Sequence, residues 1–361
     1  MESGDLQFVA SVHTHMTLAH MFIGTSLDAV FAKATEYLEY ANRIQFHDFA
    51  HEFISVRQMV LSLKGQTIRP GSLDTTDFSE EEYFPKLSAT RFVVAKMYFV
   101  LRKMQMMYLC GQFEEAELLA SRSGHQLFAL MGQLSEAEYN FYHSLTCTAL
   151  CTSASPARRR ILLRTVKRNQ NMMKRWFSHC PENFSDRYLL VEAELARLEG
   201  RTSEAMDLYE QAILAARTYE FVQNEALANE LAARFYIAQG KRRFAALYMR
   251  ESRRGYLAWG ATAKVSMLHQ EFADLLPDES NQQTTHSITE TSSVYTDGLS
   301  SKLDLISVLK ASQALSGEID LEKLLNRMMR VVVENAGAER GCLLLERKNA
   351  LVIVAERDER T

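Results

Sequence analysis

The sequence predicts a mostly α protein: an α-solenoid of stacked helical hairpins over 1–276, a linker over 277–302, and a truncated α/β start over 303–361. Three observations carry that prediction. Gly and Pro are scarce, 15 and 5 of 361 residues, which suits long helices better than a many-stranded sandwich. A Gly followed five residues later by Ala recurs at Gly24–Ala29, Gly111–Ala116, Gly200–Ala205 and Gly240–Ala245; Thr152–Ala157 repeats the spacing and Gly65 marks a further unit. The closing segment, "ERGCLLLERKNALVIVAERDERT", holds two apolar, β-branched runs one turn apart, after a chain that otherwise reads as helix.

In each repeat, Gly supplies the left-handed cap that ends one helix, a short polar turn follows, and the small Ala lets the next helix pack closely. The units recur at roughly 40–48 residues, within the range of helical repeats. In "FHDFAHEF", His47 and His51 are four apart on one helix face, the spacing of a zinc pair. Asp48 stands where a metalloprotease carries its general-base Glu, and no third ligand is evident. Surface or inter-helix histidines are the plainer reading, and no metal site is assigned. Gly65–Pro85, rich in Gly, Pro, Asp and Thr, reads as a long loop.

"PARRRILLRTVKRNQNMMKRWF", Pro156–Phe177, is a basic amphipathic helix with Ile161, Leu162, Val166, Met173 and Trp176 expected inside. Its Arg158, Arg159, Arg160, Arg164, Lys167 and Arg168 form a candidate docking face for an acidic partner or nucleic acid, set against the alternative of a solvated outer surface. The best-formed unit follows. Leu189, Leu190, Ala193, Ala196 and Leu198 line one side of its first helix, and Ala205, Leu208, Tyr209, Ala212 and Ile213 one side of its second. Phe235, Tyr236, Phe244, Tyr248, Tyr256 and Trp259 recur at helical spacing and read as core. One hairpin cannot bury both its faces, so the pairs must stack into a curved solenoid.

The linker, Pro277–Lys302, is Ser/Thr-rich and nearly devoid of large apolar residues. Beyond it, Leu305, Val308, Leu309, Ser312 and Leu315 make a helical seam, and Asp320 caps a second helix that Asn335 and Gly337 end. Strands are expected at Gly341–Glu346 and Leu351–Arg357, around a turn at Arg347–Ala350. Two strands alone are marginal in water, so they read as the beginning of a larger sheet.

A formal net charge of -4 is too small to draw in nucleic acid or a membrane by bulk attraction. The 5 cysteines form no Cys-x-x-Cys pair, no stretch approaches the ~20 apolar residues of a membrane span, and the first residues lack a signal-peptide pattern, so a reduced, cytoplasmic protein is expected. "GYLAWGATAK" has two glycines but Ala261 where a phosphate-binding loop needs Lys, and it sits between helices. No kinase or Gly-x-Ser-x-Gly motif is present.

"LDLISVLKASQALSGEIDLEKLLNRMMRVVVENAGAERGCLLLE" resembles the opening of a GAF domain in large multidomain sensor kinases. In that family a serine/threonine-kinase-like module precedes an AAA-type ATPase, a tetratricopeptide (TPR)-like array, GAF and a histidine kinase. "PGSLDTTDFSEEEYF", "CPENFSDRYLLVEAELARLEGRTSEAMDLYEQAILAARTYEFVQNEALANELAARFYIAQG" and "YLAWGATAKVSML" are similar to its array. A GAF domain takes about 150 residues, and 303–361 supplies less than half of that. The resemblance implies an internal segment, or a truncated descendant, of a two-component signalling protein. It implies a non-catalytic, protein-binding TPR-like scaffold coupled to a GAF sensor, without a cofactor. Its partners would be proteins or neighbouring domains of the parent kinase, with the 303–316 helix a candidate homodimer seam, and neither nucleic acid nor a membrane span is expected. The alternatives are a stand-alone TPR-like adaptor and a metal-dependent enzyme using His47 and His51.

Overall fold

The helix ends explain the architecture. Gly24, Gly65, Gly111, Gly200 and Gly240 all take φ between +70° and +75°, a conformation that costs L-residues with a Cβ. After each of them the next amide reaches back five residues to close the helix: Thr25 to His20 at 3.0 Å, Gln66 to Leu61 and Gln112 to Met107 at 2.8 Å, Arg201 to Ala196 and Lys241 to Tyr236 at 2.9 Å. Gln45 and Glu220 make the same closure at φ 59° and 61° without glycine, through Phe46 to Ala41 and Phe221 to Ala216. These two ends carry no sequence signal.

A computed structural model describes residues 6–89, 92–276, 340–347 and 350–358. Among them run α1 (Leu6–Ile23), α2 (Leu27–Arg43), α3 (His47–Leu63), α4 (Glu80–Ala89), α5 (Val93–Leu109), α6 (Phe113–Ser123), α7 (Leu134–Leu150), α8 (Pro156–His179), α9 (Pro181–Leu198), α10 (Thr202–Thr218), α11 (Val222–Ala238), α12 (Arg242–Trp259) and α13 (Thr262–Glu271). A 3₁₀ turn, Gly124–Leu130, precedes α7. The chain divides into two compact units, Met1–Gln283 and Thr284–Thr361.

The first unit is the predicted α-solenoid. Most successive helices pack on one another, and α3, α5, α7, α9 and α11 also touch one another in turn to form an inner layer. The curved stack closes on itself, because α13 packs on α3 and α1 packs on α7. Side chains make the closure. Lys264 Nζ donates to the Leu109 carbonyl at 2.8 Å and Thr262 Oγ1 to the Lys64 carbonyl at 3.2 Å. Arg187 Nη2 and Gln223 Nε2 donate to the Phe22 carbonyl at 3.0 and 2.8 Å. Each acceptor lies at a helix C-terminus, where unpaired carbonyls and the helix dipole favour a donor or a cation.

Several details differ from the sequence expectations. Ala116, Ala205 and Ala245 are fully buried, as the Gly-to-Ala spacing requires, but Ala29 and Ala157 are exposed. Two residues, Thr25 and Ser26, separate Gly24 from α2, one more than before α6, α10 or α12, so Val30 and Ala34 turn inward instead. Gly65–Pro85 is not loop throughout, because its last residues begin α4, with Pro85 inside. Inner-layer α9 is buried on more than one side, through Asp186, Arg187, Val191 and Glu194 as well as the expected stripe. Phe244 is 54% exposed rather than core, and stacks on Tyr236.

In the second unit, β1 (Arg340–Arg347) pairs antiparallel with β2 (Ala350–Asp358), Arg340 opposite Asp358 and Arg347 opposite Ala350, with a register shift between Leu343 and Leu344. The hairpin expected from the apolar runs is present. The 277–302 linker, the Leu305–Leu315 seam and the Asp320-capped helix lie outside the described residues. No helix among those described is long and apolar enough to cross a membrane.

Candidate functional site

Ser155 caps α8 by accepting the Arg158 amide, and Pro156 takes the first helical position, where its missing N–H is no loss. Leu162, Val166 and Met173 face inward, and Gln170 Nε2 holds Glu192 Oε1 of α9 at 2.7 Å. Ile161, expected inside, is 60% exposed, because it lies one residue before the buried Leu162 and so on the outward side. The six predicted cations divide. Arg158 Nη1 donates to Glu114 Oε1 of α6 at 2.9 Å, and Arg159 Nη2 to the Leu198 carbonyl at the end of α9 at 2.8 Å. Arg160, Arg164, Lys167 and Arg168 are exposed and carry no ion pair among the described residues. They recur at three- and four-residue spacings, so they share one side of a helix that holds no Asp or Glu. Ile161 adds an apolar contact at its edge.

His47 and His51 stand in different surroundings. His51 is half-buried with Nδ1 2.6 Å from Tyr83 Oη, and burial lowers its pKa, whereas His47 is exposed at the start of α3. No three His, Cys, Asp or Glu side chains converge in metal-binding geometry among the described residues. Lys264, the end of the rejected phosphate-loop lookalike, is buried and donates to Glu230 Oε1 at 2.9 Å.

The sequence reading missed a ladder of buried charges on the inner layer. Arg187 is wholly enclosed; its Nε donates to Glu138 Oε1 at 2.7 Å, its Nη1 sits 3.2 Å from both Asp186 oxygens, and its guanidinium lies 3.8 Å from the Phe22 ring centre. Asn224 donates to Asp186 and Gln105 to Glu138, at 2.6 and 2.9 Å. Lower in the array, Glu194 takes Arg197 and Tyr209, while Glu230 takes Lys264, Arg234 and Tyr256. Burial alone would raise the Glu230 pKa, but Lys264 and Arg234 pull it below the usual carboxylate range. Glu194, Arg197, Glu230, Arg234, Lys264 and Glu271 line a cavity of about 280 Å³ at the C-terminal ends of the inner helices. Their charges are of both signs and mutually paired, so the cavity has no net pull on an ion.

Some of the buried charges stand inside apolar runs, as Glu230 does in "ALANELAARF" and Arg102 in "MYFVLRKMQMM". A charge on the inward stripe of a helix was the available signal.

A family model described as CHK1-like, TPR repeats matches residues 59–252, from within α3 to within α12. A stretch of 43 residues is 56% identical to part of "Hybrid signal transduction histidine kinase G" from Dictyostelium discoideum. It covers 12% of this chain and 1% of that protein, so the likeness reaches a small part of the kinase's length.

Proposed function

This chain belongs to the CHK1-like TPR-repeat family, whose model spans more than half of it, and from that premise we propose that it is a non-catalytic scaffold that holds an acidic protein partner on the outer face of α8. The observation that carries this reading is the division of cations within that helix. Arg158 and Arg159 are occupied in holding α6 and α9, while Arg160, Arg164, Lys167 and Arg168 face solvent together, without a carboxylate to neutralise them. The closed inner layer supports it too, because its charges are spent on one another and leave the outside as the addressable surface.

The parent protein in this proposal is a multidomain sensor histidine kinase of the two-component type. Residues 1–276 are its repeat array, 277–302 a linker, and 303–361 a linker helix and the start of a GAF sensor. The short match to a hybrid histidine kinase and the β-hairpin support that placement. Kinase and ATPase sequence upstream in the reading frame, with the rest of GAF downstream, is the expected finding; a frame lacking both would overturn it.

The docking face is tested by fluorescence anisotropy with a labelled oligo-glutamate peptide. Replacing Arg160, Arg164, Lys167 and Arg168 by Glu should weaken binding by roughly tenfold to a hundredfold, since each exposed charge contributes roughly 0.2–1 kcal/mol, and added salt should weaken the wild type. Equal binding by the two proteins, or binding of an oligo-thymidine strand but not of the peptide, would contradict the reading.

A further inference from the structure

Among the described α-helices, α1 alone carries no Asp, Glu, Lys or Arg. Its Thr14, Thr17, Leu18, Met21 and Phe22 are buried, and the helix packs on α2, α3 and α7. The outward side is apolar as well. Val12, Met16 and Ile23 are 37, 43 and 49% exposed, and half-buried Ala19 stands between them. A surface helix ordinarily turns charged and polar residues to water, as α8 does with Arg164 and α12 with Arg250. A continuous apolar stripe in their place is the signature of a contact surface.

The spacing says what shape fits the stripe. Val12, Met16, Ala19 and Ile23 follow one another at intervals of four, three and four residues. That is the seam of a coiled coil, narrow enough for one further helix to cover with knobs set into holes. The order of side-chain sizes says which helix. Reversed end to end, the seam sets Val12 against Ile23 and Met16 against Ala19. A second α1 running antiparallel therefore meets a branched residue with a branched one, and a long side chain with a small one. An interface with two-fold symmetry needs such self-complementarity. Charge is equally permissive. The positions flanking the seam, where coiled coils choose partners by ion pairs, hold His15 and His20. An acidic or basic helix would find no counter-charge on α1, whereas an uncharged copy needs none.

We propose that two copies of this chain pair through α1, antiparallel, along Val12, Met16, Ala19 and Ile23. The seam spans roughly 17 Å of helix at 1.5 Å per residue, so the contact is small, and interfaces below about 1,200 Å² are weak and transient. Both helices are already folded within their own arrays, so pairing carries no cost of ordering a helix. The chain should accordingly be mostly monomer at about 1 µM and mostly dimer at about 300 µM.

The test is sedimentation velocity of the full chain across that concentration range. The wild type should shift from monomer to dimer. Val12→Lys and Ile23→Glu, both at exposed positions, should each raise the dissociation constant by at least about tenfold. One substitution enters a two-fold interface twice, and each time it buries an unpaired charge. The double variant sets every introduced ammonium opposite an introduced carboxylate of the other copy, and should recover most of the lost association. A wild type that stays monomeric, as it would if a helix of a different protein covers this face, would overturn the proposal. So would single variants that associate like the wild type, the result expected of pairing through the 303–316 seam. A double variant no better than the singles would rule out the antiparallel register and the proposal with it.

Discussion

Arg187 shows what the inner layer asks of a single side chain. It is buried without solvent contact, and it meets two carboxylates, a helix-end carbonyl and an aromatic face together. Arg187→Met would strand Glu138 and Asp186, and urea denaturation should record a loss of about 3–5 kcal/mol. Adding Glu138→Gln and Asp186→Asn should restore part of it, because the stranded charges are then gone. Two other groups give stability an opposing dependence on pH. Glu52 has a folded pKa of about 7 against 4.5 when unfolded, so the folded state holds its proton longer, and stability falls as pH rises through that interval. The stability of Glu52→Gln relative to wild type should climb by about 3 kcal/mol between pH 4.5 and 7. His143 works the other way. Burial, aided by Arg168, lowers it to about 4 from 6.5, so the unfolded chain binds its proton first and stability rises with pH across that window. His143→Leu should flatten that rise by about 3 kcal/mol, read from denaturation midpoints in a pH series. None of these roles was legible in the sequence. Pattern reading assigns charges to the outside, and only their position on an inward stripe marks Glu52, Glu138, Arg187 and Glu230 as exceptions.

At the scale of the element, most boundaries could be read because glycine marks them. Gly65, Gly111, Gly200 and Gly240 each end a helix as the repeat spacing implied. The ends at Gln45 and Glu220 could not be read, since the left-handed residue there is not one that favours the conformation. The same physics yields a prediction. Gln45→Gly and Glu220→Gly should each stabilise the array by up to about 1 kcal/mol, through relief of the left-handed strain, measurable as a raised melting temperature. A loss of stability in both would mean that the side chains contribute more than the backbone conformation costs. The basic helix was legible in its bounds and in Leu162, Val166 and Met173. What the sequence could not divide was the candidate face itself. Arg158 and Arg159 are held by partners 44 and 39 residues away, while Arg160 beside them is not. Helix α4 was hidden for a different reason, as Pro85 and the acidic, polar composition before it mimic a loop.

At the scale of the whole repeat unit, the solenoid was foreseen and its closure was not. Closure depends on meetings such as Phe22 with Arg187 and Gln223, Lys64 with Thr262, and Leu109 with Lys264. These are set by the rotation summed over all the repeats, which no local pattern records. In the proposed reading, closure leaves partner binding to the outer helices, among which α8 carries four exposed cations without an ion pair among the described residues. Hydrogen exchange of the chain with and without a saturating oligo-glutamate peptide tests this most directly. The account predicts slowed exchange over residues 160–175 of α8, with α5, α7, α9 and α11 unchanged. Protection along those four inner helices, with α8 unaffected, would contradict it.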